Sequence, residues 1–198
     1  MGCVKLIDRR MTVQEYFELD GQSDSRYEYY DGEVYAMSGT TFNHNDIVGS
    51  ISSILRSIFR PRGCRAFAES VKLKVSDICY LYPDVVVTCA AKDLSAFCIV
   101  EHPSIVVEVI SKTSAKRDRV FKLNQYKSIS ALRYYLIVDQ AESRVECYAR
   151  LEGSDLWTYR LYENSGDIIR FDEFNFEMGV KAIYEDIDFV DDEFPDDE

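Results

Sequence analysis

Two carboxylates stand in places where a carboxylate is costly. Asp84 follows Pro83 and leads directly into Val85-Val86-Val87, and Glu108 interrupts Ile105-Val106-Val107 and Val109-Ile110. An acid inside a strand otherwise built for burial must be paired, hydrogen-bonded, protonated or bound to a metal. Either acid alone is explained by an arginine or by backbone amides; two on successive apolar runs favour a shared purpose. Side chains two apart in a strand share a face, so Glu108 looks the same way as Val106 and Ile110. If the two strands pair, Asp84 and Glu108 converge at one sheet edge. Oxygen ligands suit a hard cation, Mg2+ or Mn2+, able to activate water and to stabilise a five-coordinate phosphorus.

The elements that must position these acids follow from periodicity. Thr12 and Glu15 have capping-box spacing and open a short helix, Val13 to Leu19. Arg26–Tyr30 and Glu33–Met37 flank Asp31-Gly32, a two-residue hairpin signal. Apolar residues from Ile47 to Phe59 recur at helical spacing over about 44–59, and Pro61 and Gly63 end that helix. Phe67–Val75 alternates as a half-buried strand. Tyr80–Thr88, Ser104–Ile110 and Arg133–Asp139 read as further strands, mostly apolar and suited to burial on both faces. Ser114 to about Ser128 is expected to be a helix with a cationic face. Segments around Val145–Tyr148, Trp157–Leu161 and Ile168–Phe171 extend the sheet antiparallel. The order helix–strand–strand–strand–helix–strand predicts an α/β fold, a mixed sheet flanked by helices.

The 198 residues carry a net charge of −12, which as a sum opposes a polyanionic partner. Nine of the acids lie in residues 185–198, without a base, and leave −3 on residues 1–184. Two stretches are basic, Arg56–Lys74 and Lys112–Arg133, and Lys112, Lys116, Arg117 and Arg119 lie just beyond the Glu108 strand. Residues 1–184 are expected to form one domain and 185–198 a disordered acidic tail, by default a solvating appendage. No apolar run reaches the length of a membrane span and no signal-peptide core opens the chain, so a cytoplasmic protein is expected. Six cysteines without a Cys-x-x-Cys pair, and only two histidines, argue against structural zinc and for free thiols. No Gly-x-Ser-x-Gly elbow, Walker loop or His-Glu-x-x-His helix is present.

The runs Tyr-Pro-Asp-Val-Val-Val (82–87) and Val-Val-Glu-Val-Ile-Ser (106–111) carry a resemblance. With them go Arg-Tyr-Glu (26–28), Asp-Gly-Glu (31–33), His44 before the first long helix, and Asp118, Lys122 and Tyr126 on the second. In this order, over roughly residues 10–180, the chain resembles the Uma-type restriction endonucleases of the PD-(D/E)XK nuclease superfamily. The resemblance implies a PD-(D/E)XK-like core, with Asp84 and Glu108 as ligands of Mg2+ or Mn2+ and DNA as substrate. The superfamily's lysine stands two residues after the glutamate, where this chain has Ile110. Lys122 is the best substitute, since Asp118, Lys122 and Tyr126 share one helix face; Lys72 and Lys74 compete for the role. An ordinary Asp118–Lys122 salt bridge on a solvated face is the alternative. Glu33 is a secondary candidate as an outer acid, and His44 as a group orienting a water or a carboxylate. The expected function is a metal-dependent endodeoxyribonuclease. The displaced lysine keeps open a catalytically inactive nucleic-acid-binding or assembly module, and the acidic tail and tyrosines a plain protein-interaction domain. A homodimer would suit a duplex substrate, although no dimer surface is evident.

Overall fold

The computed structural model describes residues 3–5, 9–37, 39–111 and 114–189. The N-terminal part holds β1 (Cys3–Lys5), α1 (Val13–Gln22), β2 (Tyr27–Tyr30), β3 (Glu33–Met37) and α2 (Phe42–Phe59). Next come β4 (Arg65–Ala68), β5 (Lys72–Ser76), β6 (Cys79–Leu81), β7 (Val85–Thr88), α3 (Ala91–Ser95), β8 (Ile99–Val100) and β9 (Pro103–Ile110). A π-helical turn, Arg117–Lys122, runs into α4 (Leu123–Lys127). Then follow β10 (Tyr134–Asp139), β11 (Val145–Arg150), β12 (Trp157–Tyr162), β13 (Ile168–Phe171), β14 (Phe176–Gly179) and α5 (Val180–Ile183).

The main sheet has the order β12-β11-β10-β9-β7-β4, and β9 and β10 are its parallel pair. A second sheet runs β1-β3-β2-β6-β5-β8, and β13 with β14 forms a separate ribbon. The expected α/β architecture is present, a mixed sheet with α2 on one face. Ile47, Ile51, Leu55 and Phe59 of α2 pack on Val85, Val87, Ile105 and Val107, as their helical spacing requires. The opposite face buries Val86, Val106 and Ile110 against Leu73, Leu81 and Tyr126, from the second sheet and α4. The capping box at Thr12 and the Asp31-Gly32 turn form as their residues predict.

Two expected strands are each broken in the middle. Phe67–Val75 divides into β4 and β5, and Tyr80–Thr88 into β6 and β7, with each half in a different sheet. Pro83 has no N–H to give a ladder, and Glu69 adopts φ 53°, which reverses the local twist. The two strands therefore cross between sheets at one level, and Glu69 and Asp84 lie at that corner. The expected helix over 114–128 is also not uniform, since its first turns are π-helical.

The free-thiol expectation fails at one pair. Cys64 and Cys89 lie one step beyond the Arg65–Thr88 pair of β4 and β7, with Cα atoms 4.3 Å apart, and are joined by a disulfide. Their separation of 25 residues carries no pairing signal in sequence. Cys79 and Cys147 are buried free thiols, and Cys98 is an exposed one. No helix among the described residues is long and apolar enough to cross a membrane. Of the tail, residues 190–198 lie outside the described residues, as does Lys112.

Candidate active site

Strand register assembles the acids. Val85 of β7 pairs with Val107 of β9 and with Ala68 of β4. One step further, Asp84 faces Glu108 on one side and Glu69 on the other. The Glu69 N–H donates to the Asp84 carbonyl at 2.8 Å and holds that level in place. Three carboxylates thus meet at the corner where the two broken strands change sheets.

Asp84 is buried; its Oδ2 accepts the Val109 N–H at 2.7 Å and lies 3.4 Å from His44 Nε2. Burial opposes its ionisation most strongly, but the His44 imidazole, the Lys122 ammonium and the Val109 N–H outweigh it, so its pKa is lowered. Glu108 has both oxygens occupied. The Tyr126 hydroxyl donates to Oε1 at 2.6 Å and the Lys122 ammonium to Oε2 at 2.9 Å. Burial pushes the Glu108 pKa well up; Lys122 offsets this in part, and the other acids add to it.

Lys122 is surrounded. Besides Glu108, its Nζ lies 3.2 Å from Glu28 Oε1 and 3.3 Å from Asp118 Oδ1. Burial alone would drive its proton off, yet the three carboxylates raise its pKa well above that of a free lysine. Glu28, on β2 and fully buried, also accepts the Tyr82 N–H at 3.2 Å and an Arg117 Nη2 donor at 2.9 Å. Burial opposes its ionisation most, but Lys122 and Arg117 hold its pKa down. The result is a buried ion cage of Glu28, Glu108 and Asp118 around Lys122, with Arg117 at its side. The Asp118–Lys122 pair expected from their spacing is present, but in the interior and not on a solvated face.

The remaining sequence candidates fall elsewhere. Lys72 binds Asp20 at 2.9 Å and lies over the Tyr16 and Phe17 rings, and Lys74 pairs with Asp77. Neither is brought to the Asp84–Glu108 group. Glu33 accepts the Tyr35 hydroxyl at 2.5 Å, and that tyrosine ring lies beneath Arg117. Arg119 is bound to Glu146 at 2.6 Å and Lys116 is exposed, so the cationic face is only partly open. Glu28 and Glu69 are participants without a clear sequence signal: Glu28 reads as the polar member of a tyrosine-rich hairpin, and Glu69 as mid-strand.

On the α2 side the polar groups are less satisfied. Thr41 caps α2 through the His44 N–H, which fixes His44 in the first turn with its ring fully buried. Neither ring nitrogen has a hydrogen-bond partner among the described residues. One donor atom each from His44, Glu69 and Asp84 lies within 4.8 Å of the others. A buried imidazole without a partner, aimed at an ionised carboxylate, fits a divalent cation. Beside it a surface groove of about 360 Å3 is lined by Asn45, Gly49, Ser52, Ser53 and Arg56 of α2 and by Ala68 and Glu69.

Comparison with known proteins agrees with this architecture. The Uma2 family model, described as "Putative restriction endonuclease", matches residues 13–181. An uncharacterized protein of Synechocystis sp. (strain PCC 6803) is 26% identical over 181 residues, covering 91% of this chain and 94% of its own. A second from the same organism is 29% identical over 150 residues, covering 74% and 84%. A crystal structure from Anabaena variabilis, of "a putative nuclease belonging to DUF820", superposes with a TM-score of 0.68 at 17% identity. It covers 88% of this chain and 97% of that one, a likeness of fold consistent with a PD-(D/E)XK-like core.

Proposed function

The chain belongs to the Uma2 restriction-endonuclease-like family, and from that premise we propose that it is a metal-dependent endonuclease hydrolysing DNA phosphodiester bonds. The observation that carries the proposal is Lys122. It reaches Glu108 from a different element and supplies an ammonium 2.9 Å from that carboxylate, where the strand itself offers only Ile110. Asp84 and Glu108 are the carboxylates that would hold a Mg2+ or Mn2+ ion. When bound, that ion supplies Lewis-acid stabilisation of charge on the scissile phosphate and on the leaving oxygen.

The chain's own groups do the rest. Asp84, with its lowered pKa, is ionised at neutral pH and ready to act as a ligand. Glu108 and Tyr126 orient Lys122, and the cage keeps it charged, so its ammonium can align the attacking water and offset charge on the phosphate oxygens. Hydrolysis joins the water oxygen to phosphorus and breaks the bond to the leaving deoxyribose oxygen, and a proton given up by the water ends on that oxygen. In this reading the DNA strand would lie along the groove on α2, with Arg56 and Glu69 among its lining residues. Residues 1–184 act as one domain with 185–198 as an acidic appendage. A cytoplasmic setting and a symmetric homodimer suit duplex DNA, although the Cys64–Cys89 disulfide runs against a reducing compartment.

A second reading, an inactive nucleic-acid-binding or assembly module, is favoured by the saturation of Lys122 with three carboxylates. Plasmid nicking separates the two. The wild type is expected to nick supercoiled DNA with Mg2+ or Mn2+, and Asp84→Asn and Lys122→Met are expected to lose at least about 100-fold in rate. DNA binding without nicking by the wild type selects the inactive module.

A further inference from the structure

We infer that His44 and Glu69 complete, with Asp84, a three-donor site that prefers Mn2+ over Mg2+, an assignment that rests on the metal-dependent reading above. Glu108 stands beside this set, with one oxygen accepting from Tyr126 and the other from Lys122. His44 is less satisfied. Its ring is 0% exposed and both nitrogens lack a hydrogen-bond partner among the described residues; Nε2 lies 3.4 Å from Asp84 Oδ2, beyond the usual hydrogen-bond distance. Buried polar atoms are nearly always satisfied. An ion between imidazole and carboxylate would satisfy this one.

Glu69 supplies the third donor from the opposite strand. Its backbone is held in the left-handed region, at φ 53°, by its own N–H to the Asp84 carbonyl and by the Arg26 guanidinium on its carbonyl. Ligands on a six-coordinate ion with bonds of about 2.1 Å stand about 3–4.2 Å apart. The observed 4.8 Å envelope closes to that range by a small rotation of the half-buried Glu69 side chain. Of the three donors Glu69 also lines the groove along α2, so water or a phosphate oxygen would approach an ion held there past Glu69. A nitrogen donor among carboxylates disfavours Mg2+, which takes oxygen ligands, and favours a first-row transition ion.

Calorimetric titration of Mn2+ and of Mg2+ into the full chain tests the inference, with pulsed EPR of the Mn2+-loaded protein to detect a coupled imidazole nitrogen. The wild type is expected to bind Mn2+ at least about tenfold more tightly than Mg2+ and to show nitrogen coupling. His44→Gln should abolish the coupling and the preference. Glu69→Gln, on a half-exposed side chain that threatens the fold little, should weaken Mn2+ by more than the roughly 10–100-fold typical of an outer-shell partner. Mn2+ binding that is lost in Asp84→Asn but unchanged in His44→Gln and Glu69→Gln overturns this site and leaves the metal-dependent reading standing. Failure of the wild type to bind either ion removes both. Tighter binding of Mg2+ than of Mn2+ refutes the preference.

Discussion

The two sides of the Asp84–Glu108 pair are built on opposite terms. Toward α4, Glu28, Glu108 and Asp118 close on Lys122 and Arg117, and each carboxylate meets at least one cation. Toward α2, His44 has no hydrogen-bond partner among the described residues, although it is just as deeply buried. A saturated cage fixes geometry, because every departure exposes a buried charge. An under-satisfied cluster keeps donors available and lets something else complete it. The same pair of strands thus carries a scaffold on one side and a receptive site on the other.

The largest expected effect comes from breaking the cage. Lys122→Met leaves buried carboxylates without their central cation and should destabilise the protein by about 3–5 kcal/mol, measured by urea unfolding. His44→Leu in metal-free protein should cost less, because it removes one 3.4 Å contact to Asp84 where Lys122→Met removes contacts to three carboxylates. Equal costs would erase the contrast.

Next in size is the response to metal. A free Mn2+ concentration of 100 times Kd should stabilise the wild type by about 2.7 kcal/mol and leave Asp84→Asn unmoved, read from thermal unfolding. A shift that persists in Asp84→Asn would locate the ion elsewhere.

Acid should also weaken the cage. The folded-state pKa of Glu28 lies below its unfolded value of 4.5, so the stability it contributes is present above pH 4.5 and is lost as pH falls through the lowered value. Glu28→Gln should cost about 1.5–3 kcal/mol at neutral pH and flatten this acid limb. A variant with the wild-type acid profile would show that Glu28 is not linked to the loss.

The smallest effect tests the groove. A Cβ at Gly49 meets nothing within 4 Å, so Gly49→Ala should gain up to about 1 kcal/mol from helix propensity. Gly49→Phe should keep fold and Mn2+ binding but raise the KM for DNA. An unchanged KM would move the strand path away from α2.

Much of this arrangement is legible in the chain, and the exceptions share a cause. The capping box, the Asp31-Gly32 turn, the apolar face of α2 and the buried runs of β7, β9 and β10 are local patterns, and each forms as written. Asp84 and Glu108 announce themselves by contrast with their apolar neighbours. Glu28 and Glu69 do not, since an acid among tyrosines or in an alternating strand looks like an ordinary solvent-facing residue. The Cys64–Cys89 bridge is equally silent, because only the β4–β7 register brings the two together.

The sequence by itself determined which apolar runs are buried, which strands are central and that Asp84 and Glu108 are out of place, because hydrophobic periodicity and turn chemistry act over a few residues. Only the tertiary structure decided what those acids meet. Lys122 finds Glu108 from 14 residues away and Glu28 from 94, and Glu69 joins Asp84 because two strands break at one level and change sheets together. Such meetings depend on register and on crossings between distant segments, which no local pattern encodes.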